Sequence, residues 1–203
     1  RGVRLRGGPG SGKVTKPGLA VPVGEWAINP VPRKMILKEI AQLIPDNRGV
    51  EVTLSVPGGR QIARRTYNPK LGIIGGISII GTTGIVKPKS VDAYKASLAL
   101  ELNVLRAQGH TQAVLVLGYV GEKYAQETLK IKKDILVKIG DHVGFMLEQC
   151  AKKGFEKALL IGHIGKMIKL AGGQFDTHCR SGDRRISLMA QYARAGGADE
   201  KTV

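Results

Sequence analysis

The chain has 203 residues, 42% of them apolar and 24% charged, with 32 Lys and Arg against 16 Asp and Glu for a formal charge of +16. That length and apolar fraction suffice for a buried core and exclude a disordered tail. Two cysteines exclude a disulfide framework, 28 unevenly clustered glycines exclude a collagen-like repeat, and the longest uncharged run, 71–86, is too short and too rich in glycine for a membrane-spanning helix.

Near the start, Gly7-Gly8-Pro9-Gly10-Ser11-Gly12-Lys13 has the form G-x-x-x-x-G-K. Val14 stands where a magnesium-binding hydroxyl is needed, and Pro17 and Pro22 forbid the helix that would meet a phosphate, so a nucleoside-triphosphate loop is rejected. Pro17, Pro22, Pro30 and Pro32 keep 16–33 extended until Pro32 opens a helix, carried by Met35, Ile36, Ile40, Leu43 and Ile44 and stopped by Pro45. Val50, Val52, Leu54 and Val56 alternate as a half-buried strand, ended by Pro57-Gly58-Gly59. The stretch 72–84 mixes β-branched residues with glycine, which suits extended backbone approached closely by another group, and Thr82 and Thr83 add hydroxyls at its end.

From Lys89 the pattern alternates helices with short apolar strands. A helix runs from about Ser90 to Gly109, and strands follow at Ala113–Leu117, Ile135–Ile139 and Ala158–Ile161. Helices fall at about 121–129, around Val143, Met146, Leu147 and Cys150, and at 166–171 and 183–195. The expected fold is α/β: a parallel, doubly wound-like sheet in the C-terminal half, residues 89–203, and a smaller strand-and-turn-rich α+β N-terminal portion, residues 1–88. Ligands of such sheets lie at the carboxyl ends of the strands. There the sequence has Gly118-Tyr119-Val120-Gly121, Gly140-Asp141-His142-Val143-Gly144 and Gly162-His163-Ile164-Gly165-Lys166. These glycines either admit a ligand to backbone N–H groups or simply make short turns.

Charge is spread along the chain, 16 basic against 6 acidic residues in 1–101 and 16 against 10 in 102–203. Such a field attracts polyanions. Nine aromatic residues and no helix-turn-helix, zinc-finger or ribonucleoprotein pattern leave charge alone to support a non-catalytic nucleic-acid-binding module. His163, with Lys166, and the run Asp176-Thr177-His178-Cys179-Arg180 gather titratable groups near the last strand exit. His163 and His178 are candidates for acid, base or carboxylate donor, though a single histidine is more often a hydrogen-bonded structural residue. No metal-site spacing is present, and Cys150 belongs to a helix core. The first residue is arginine and the start shows neither an apolar signal core nor a cleavage site, which suggests a fragment or processed piece, with the cytoplasm as the expected compartment.

Several long stretches resemble one family. Val14-Thr15-Lys16-Pro17-Gly18-Leu19, Gly24-Glu25 with Ala27-Ile28-Asn29-Pro30-Val31-Pro32-Arg33, Gly75 through Val86, and Gly162-His163-Ile164-Gly165-Lys166 with Lys169-Leu170-Ala171 and Thr177-His178 are similar, in collinear order, to the CbiD family. The resemblance implies methyl transfer from S-adenosylmethionine to C1 of cobalt-precorrin-5B, in the anaerobic pathway to cobalamin. Cobalt then enters only as part of a polyanionic tetrapyrrole substrate, with no nucleic acid or membrane partner and a homo-oligomer allowed. On that reading Gly75, Gly76, Ser78, Gly81, Thr82, Thr83, Gly84, Gly118 and Gly121 contact the donor. Lys16, Arg33, Gly162, Gly165, Lys166, Lys169, Thr177, Arg180 and Arg184 hold the substrate, and His163 and His178 serve the chemistry. The sequence departs from the family at Asp176, where Asn is usual, at Cys179, where Ser is usual, and in the loop 118–121, which lacks an Asn.

Overall fold

The structure, a computed structural model, describes residues 2–45, 48–81, 85, 90–178 and 184–199. The chain divides into two compact units, Arg1–Gly109 and His110–Val203. The boundary read from the sequence at 88 precedes helix Val91–Ala107, which is grouped with the first unit.

In the first unit, β1 (Gly2–Gly7) pairs in parallel with β4 (Gly49–Leu54). Strand β2 (Gly10–Ser11) pairs in parallel with β6 (Gly76–Ile77), and β3 (Lys13–Val14) runs antiparallel to β5 (Ile73–Ile74). The segment resembling a phosphate loop is therefore short strand pieces joined by a turn at Pro9, followed by no helix, with the Lys13 ammonium 5.6 Å from the centre of the Trp26 ring. Glycine is required here by close backbone approach: a Cβ on Gly76 would run into the Gly10 carbonyl of the neighbouring strand.

Helix α1 (Pro30–Ala41) begins at Pro30 rather than at Pro32. A proline at the first helical position loses no hydrogen bond and already has helical φ, so the earlier of the two prolines can start the turn. None of its residues is buried. Helix α2 (Gly59–Ala63) is short, and α3 (Val91–Ala107) is capped by Ser90, whose Oγ accepts from Ala93 N at 3.3 Å. Val104 of α3 packs with Val14, Val21, Ala27, Leu71 and Ile73. The proline-rich segment is tied to this core by Val14 N to Glu25 O at 2.9 Å, Ala27 N to Gly12 O at 2.8 Å and Asn29 N to Ile79 O at 3.0 Å.

Helix α3 also buries an acid. Glu101 is 6% exposed; its Oε2 accepts from Lys70 Nζ at 3.2 Å, and its Oε1 has no partner among the described residues. Burial raises its carboxyl above the ordinary value, and the charges of Lys70 and Lys16 only partly offset this.

The second unit is a three-stranded parallel sheet, β7 (Gln112–Leu117), β8 (Leu136–Lys138) and β9 (Lys157–Gly162), in the order β8-β7-β9. The central β7 buries Ala113, Leu115, Val116 and Leu117, as a strand covered on both faces does. Residues 157–159 of the edge strand β9 are exposed. Helix α4 (Gly118–Glu127) starts three residues before the glycine at which the sequence placed it. Gly118, at φ +70, makes the strand-to-helix turn itself. Ala125 of α4 joins Val116, Leu136 and Ile161 in the core. Helix α5 (Val143–Lys152) buries Val143, Met146 and Cys150, and α6 (Ile164–Ala171) packs on α7 (Arg185–Ala195). No helix among the described residues is long and apolar enough to cross a membrane.

Gly121 of α4 lies against β9: a Cβ there would stand 2.6 Å from the Ile161 carbonyl oxygen. Gly121→Ala is expected to destabilise the second unit by about 1–3 kcal/mol through overpacking, measured by urea unfolding. Glu101 gives a prediction with a sign. A carboxyl whose folded-state value is raised contributes stability below its unfolded-state value and loses that contribution as pH rises through the folded one. Glu101→Gln should therefore flatten the fall in thermal midpoint from about pH 4 upward, checked by melting curves across that range.

Candidate functional site

The exits of β8 and β9 and the segment before residue 179 enclose a cleft of about 390 Å³, lined by Asp141, His163, Gly165, Lys166, Lys169, Thr177, His178 and Arg185. Each position follows from local chain geometry. Gly140, at φ +59, turns the chain out of β8 and presents Asp141 before α5 begins. His163 is the N-cap of α6, and its Nδ1 accepts from Gly165 N at 3.1 Å. With Nδ1 used as an acceptor, the neutral imidazole carries its proton on Nε2 and offers a donor.

Lys166 and Lys169 follow on the same face of α6, three residues apart. Lys166 Nζ reaches Asp141 Oδ1 at 2.7 Å, with side chains 34% and 26% exposed. Lys169 is 4% exposed, and its ammonium donates to the backbone oxygens of Thr177 at 3.3 Å and His178 at 3.4 Å. These carbonyls satisfy a buried ammonium and fasten segment 175–178 over the helix.

Thr177, 3% exposed, donates its hydroxyl to Asp141 Oδ1 at 2.9 Å and its N–H to the Asp141 carbonyl at 3.1 Å. Burial alone would raise the Asp141 carboxyl. Hydrogen bonds from Lys166 and Thr177, with the positive charges of Lys166 and His178, outweigh burial and hold it below the ordinary value. Asp176 Oδ1 accepts from His178 N at 3.0 Å, so this carboxylate closes a local turn and does not line the cleft. His178 itself is exposed.

Of the residues expected from sequence, the cleft gathers His163, Gly165, Lys166, Lys169, Thr177 and His178. Gly162 ends β9, where a Cβ would meet the Leu117 side chain at 3.1 Å. Arg184 precedes α7 and is absent from the cleft lining; the following residue, Arg185, takes that place. Among the donor candidates, Gly76 and Gly121 are occupied by backbone packing, whereas Gly75, Gly81 and Gly118 have open space where a Cβ would stand. The Ser78 hydroxyl donates to Asn68 Oδ1 at 3.2 Å. In the first unit Lys16 Nζ donates to Lys70 O at 3.3 Å, and Arg33 lies 3.8 Å from Glu25. Thr82, Thr83, Gly84 and Arg180 lie outside the described residues, as does Cys179.

Asp141 and Arg185 were missed. A search for cations passes over an acid, although Asp141 stands in a glycine-flanked strand exit, which was the available signal. Arg185 and Arg184 are adjacent in sequence and identical in type, and which of them lines the cleft is decided by where α7 begins and how it packs. No group of three His, Cys, Asp or Glu among the described residues could hold a metal ion.

The second unit is thus a parallel α/β unit with a cleft at its strand exits in which basic side chains outnumber acidic ones. Sequence likeness makes the assignment finer. Residues 1–88 match the CbiD family model. The chain is 48% identical over 202 residues to a cobalt-precorrin-5B C(1)-methyltransferase of Thermoanaerobacter sp. (strain X514), covering 100% of this chain and 55% of the relative. It is 48% identical over 201 residues to the protein of that name from Methanobrevibacter smithii, covering 99% of this chain and 56% of the relative. The chain is thus similar to the CbiD family, and it spans about half the length of these curated relatives. A crystal structure titled cobalamin biosynthesis protein (cbiD) from Archaeoglobus fulgidus is 24% identical, with a TM-score of 0.34 covering 98% of this chain and 59% of that one.

Lys169 gives a direct test of how the cleft is held. Lys169→Met leaves the Thr177 and His178 carbonyls without this donor and should cost about 1–3 kcal/mol. A lowered thermal midpoint, with faster hydrogen exchange at the Thr177 amide, is the expected result.

Proposed function

We propose that the protein transfers a methyl group from S-adenosylmethionine to C1 of cobalt-precorrin-5B, giving cobalt-precorrin-6A, in anaerobic cobalamin biosynthesis in the cytoplasm. The observation that carries this reading is 48% identity along the whole chain to relatives bearing that name. The cleft supports it chemically. A corrin precursor has a rim of acetate and propionate groups, and the cleft presents His163, Lys166, Lys169, His178 and Arg185 against a single carboxylate. The rival nucleic-acid-binding module has overall charge alone in its favour.

In this mechanism the residues position more than they react. Lys166 and Arg185 hold a carboxylate of the substrate, Arg185 through a planar fork suited to it. His163 donates from Nε2, and His178 either supplies a second donor or accepts a proton. Lys16, Arg33, Arg180 and Arg184 remain further candidates for the rim. S-adenosylmethionine supplies an electrophilic methyl group on a sulfonium, so no nucleophilic side chain is required. Within the second unit, Gly118 opens α4 at a strand exit with open space where a Cβ would stand, which fits close approach by the donor; within the first unit, Gly75 and Gly81 stand equally open and are separate candidates. Thr82, Thr83 and Gly84 continue that donor assignment. Alignment of the reacting carbon with the methyl group supplies much of the acceleration. The central position of the first strand in the order β8-β7-β9 supports reading the second unit as doubly wound.

The test is anaerobic incubation with methyl-labelled S-adenosylmethionine and cobalt-precorrin-5B, using this chain and the chain extended to the length of its relatives. Label at C1 is expected, with turnover about tenfold or more lower in His178→Ala, the loss of one hydrogen bond to a charged group. No transfer by the longer folded protein would overturn the assignment.

A further inference from the structure

Asp141 is the one acid among the described residues lining a cleft of five basic side chains. For a site that takes anions, its charge is adverse by simple electrostatics. Its contacts give it a different use. One oxygen, Oδ1, accepts from Lys166 Nζ at 2.7 Å and from the Thr177 hydroxyl at 2.9 Å, while the Asp141 backbone carbonyl accepts from Thr177 N at 3.1 Å. These bonds join three separate pieces of chain: the β8 exit, helix α6 and segment 175–178. Two of the cleft's basic residues are a lysine with a four-carbon stem and a histidine in the segment before residue 179. Asp141 restrains the first directly, and it restrains the second through Thr177, the residue before His178. A lysine ammonium has three donors, so the bond to Asp141 leaves two directions for a ligand.

We propose that Asp141 is a positioning residue for anion binding, which holds the Lys166 ammonium and the His178-bearing segment in the geometry that receives a substrate carboxylate. This rests on the reading of the cleft as a carboxylate site. The acid lowers the net positive charge of the cleft, but it fixes the placement of two groups that would otherwise have to be ordered when the ligand binds. The restraint is local, since each contact lies within the second unit.

The sign of one substitution separates positioning from simple charge. Uroporphyrin III, an octacarboxylate tetrapyrrole, serves as the probe, its fluorescence quenching titrated at fixed ionic strength with the wild-type chain and variants. If charge alone matters, Asp141→Asn binds more tightly. If Asp141 positions, Asp141→Asn binds roughly tenfold more weakly, and Thr177→Val, which keeps the carboxylate but removes one tether, also weakens binding. Lys166→Met should abolish the part of the Asp141 effect that acts through the ammonium, so that the double variant loses less affinity than the product of the two single losses. A residue that merely stabilises the fold would not show that coupling. Asp141→Asn binding as tightly as wild type or tighter, or losses that multiply in the double variant, would overturn the proposal. Should Asp141→Asn fail to fold, folded Thr177→Val with unchanged affinity overturns it equally. Absence of probe binding by the wild-type chain sinks the carboxylate-site reading itself and is a different outcome from any of these.

Discussion

In the second unit, one carboxylate oxygen closes two connections at once. Asp141 Oδ1 is shared by an ammonium on α6 and a hydroxyl on the segment that carries His178. Without it, α6 and the His178 segment would lose the side-chain bonds that join them to the β8 exit. With it, and with the buried Lys169 ammonium fastened to two carbonyls of the same segment, the cleft has a fixed wall. The depressed carboxyl of Asp141 follows from those bonds, which favour its charged form more than burial opposes it.

This wall depends on the parallel sheet beneath it. Three strands pointing the same way bring their carboxyl ends to one edge, and every strand-to-helix turn then opens on that side. The turn after β9 is shaped by its own histidine: His163 caps α6 through Nδ1, which commits the ring to one tautomer when neutral. A residue that a motif search would mark for chemistry thus also holds backbone, and both roles are compatible because they use different nitrogens. The close seat of α4 on β9 at Gly121 serves the same frame by bringing helix and strand backbone into contact.

The first unit is built by a different rule. Its strands are only two to six residues long, and its stability comes from glycine-permitted backbone contact, from a small apolar cluster and from hydrogen bonds that bind the proline-rich segment down. Glu101 is the exception inside that core, a buried acid with one oxygen bonded to Lys70 and the other unpartnered among the described residues. Such a group weakens the fold as it ionises.

Much was legible in the sequence. Apolar periodicity located α3, α5 and the three strands of the parallel sheet to within a residue or two, because period and length separate helix from strand whatever the surroundings. The likeness to the CbiD family was legible in collinear motifs, and six of the cleft residues in the runs next to strand ends. Pairing of short strands was not legible: two-residue strands such as β2 and β6 have no periodicity, and only tertiary contact assigns Gly10 to Gly76. Nor was the division between glycines that pack and glycines that stand open, since Gly75 and Gly76 are identical in type and differ only in what lies beside them. Sequence by itself determined which residue types were present at the strand exits. The tertiary structure alone decided that an acid would organise the cations there, because a hydrogen bond between residues 141, 166 and 177 exists only once three distant segments are brought within 3 Å.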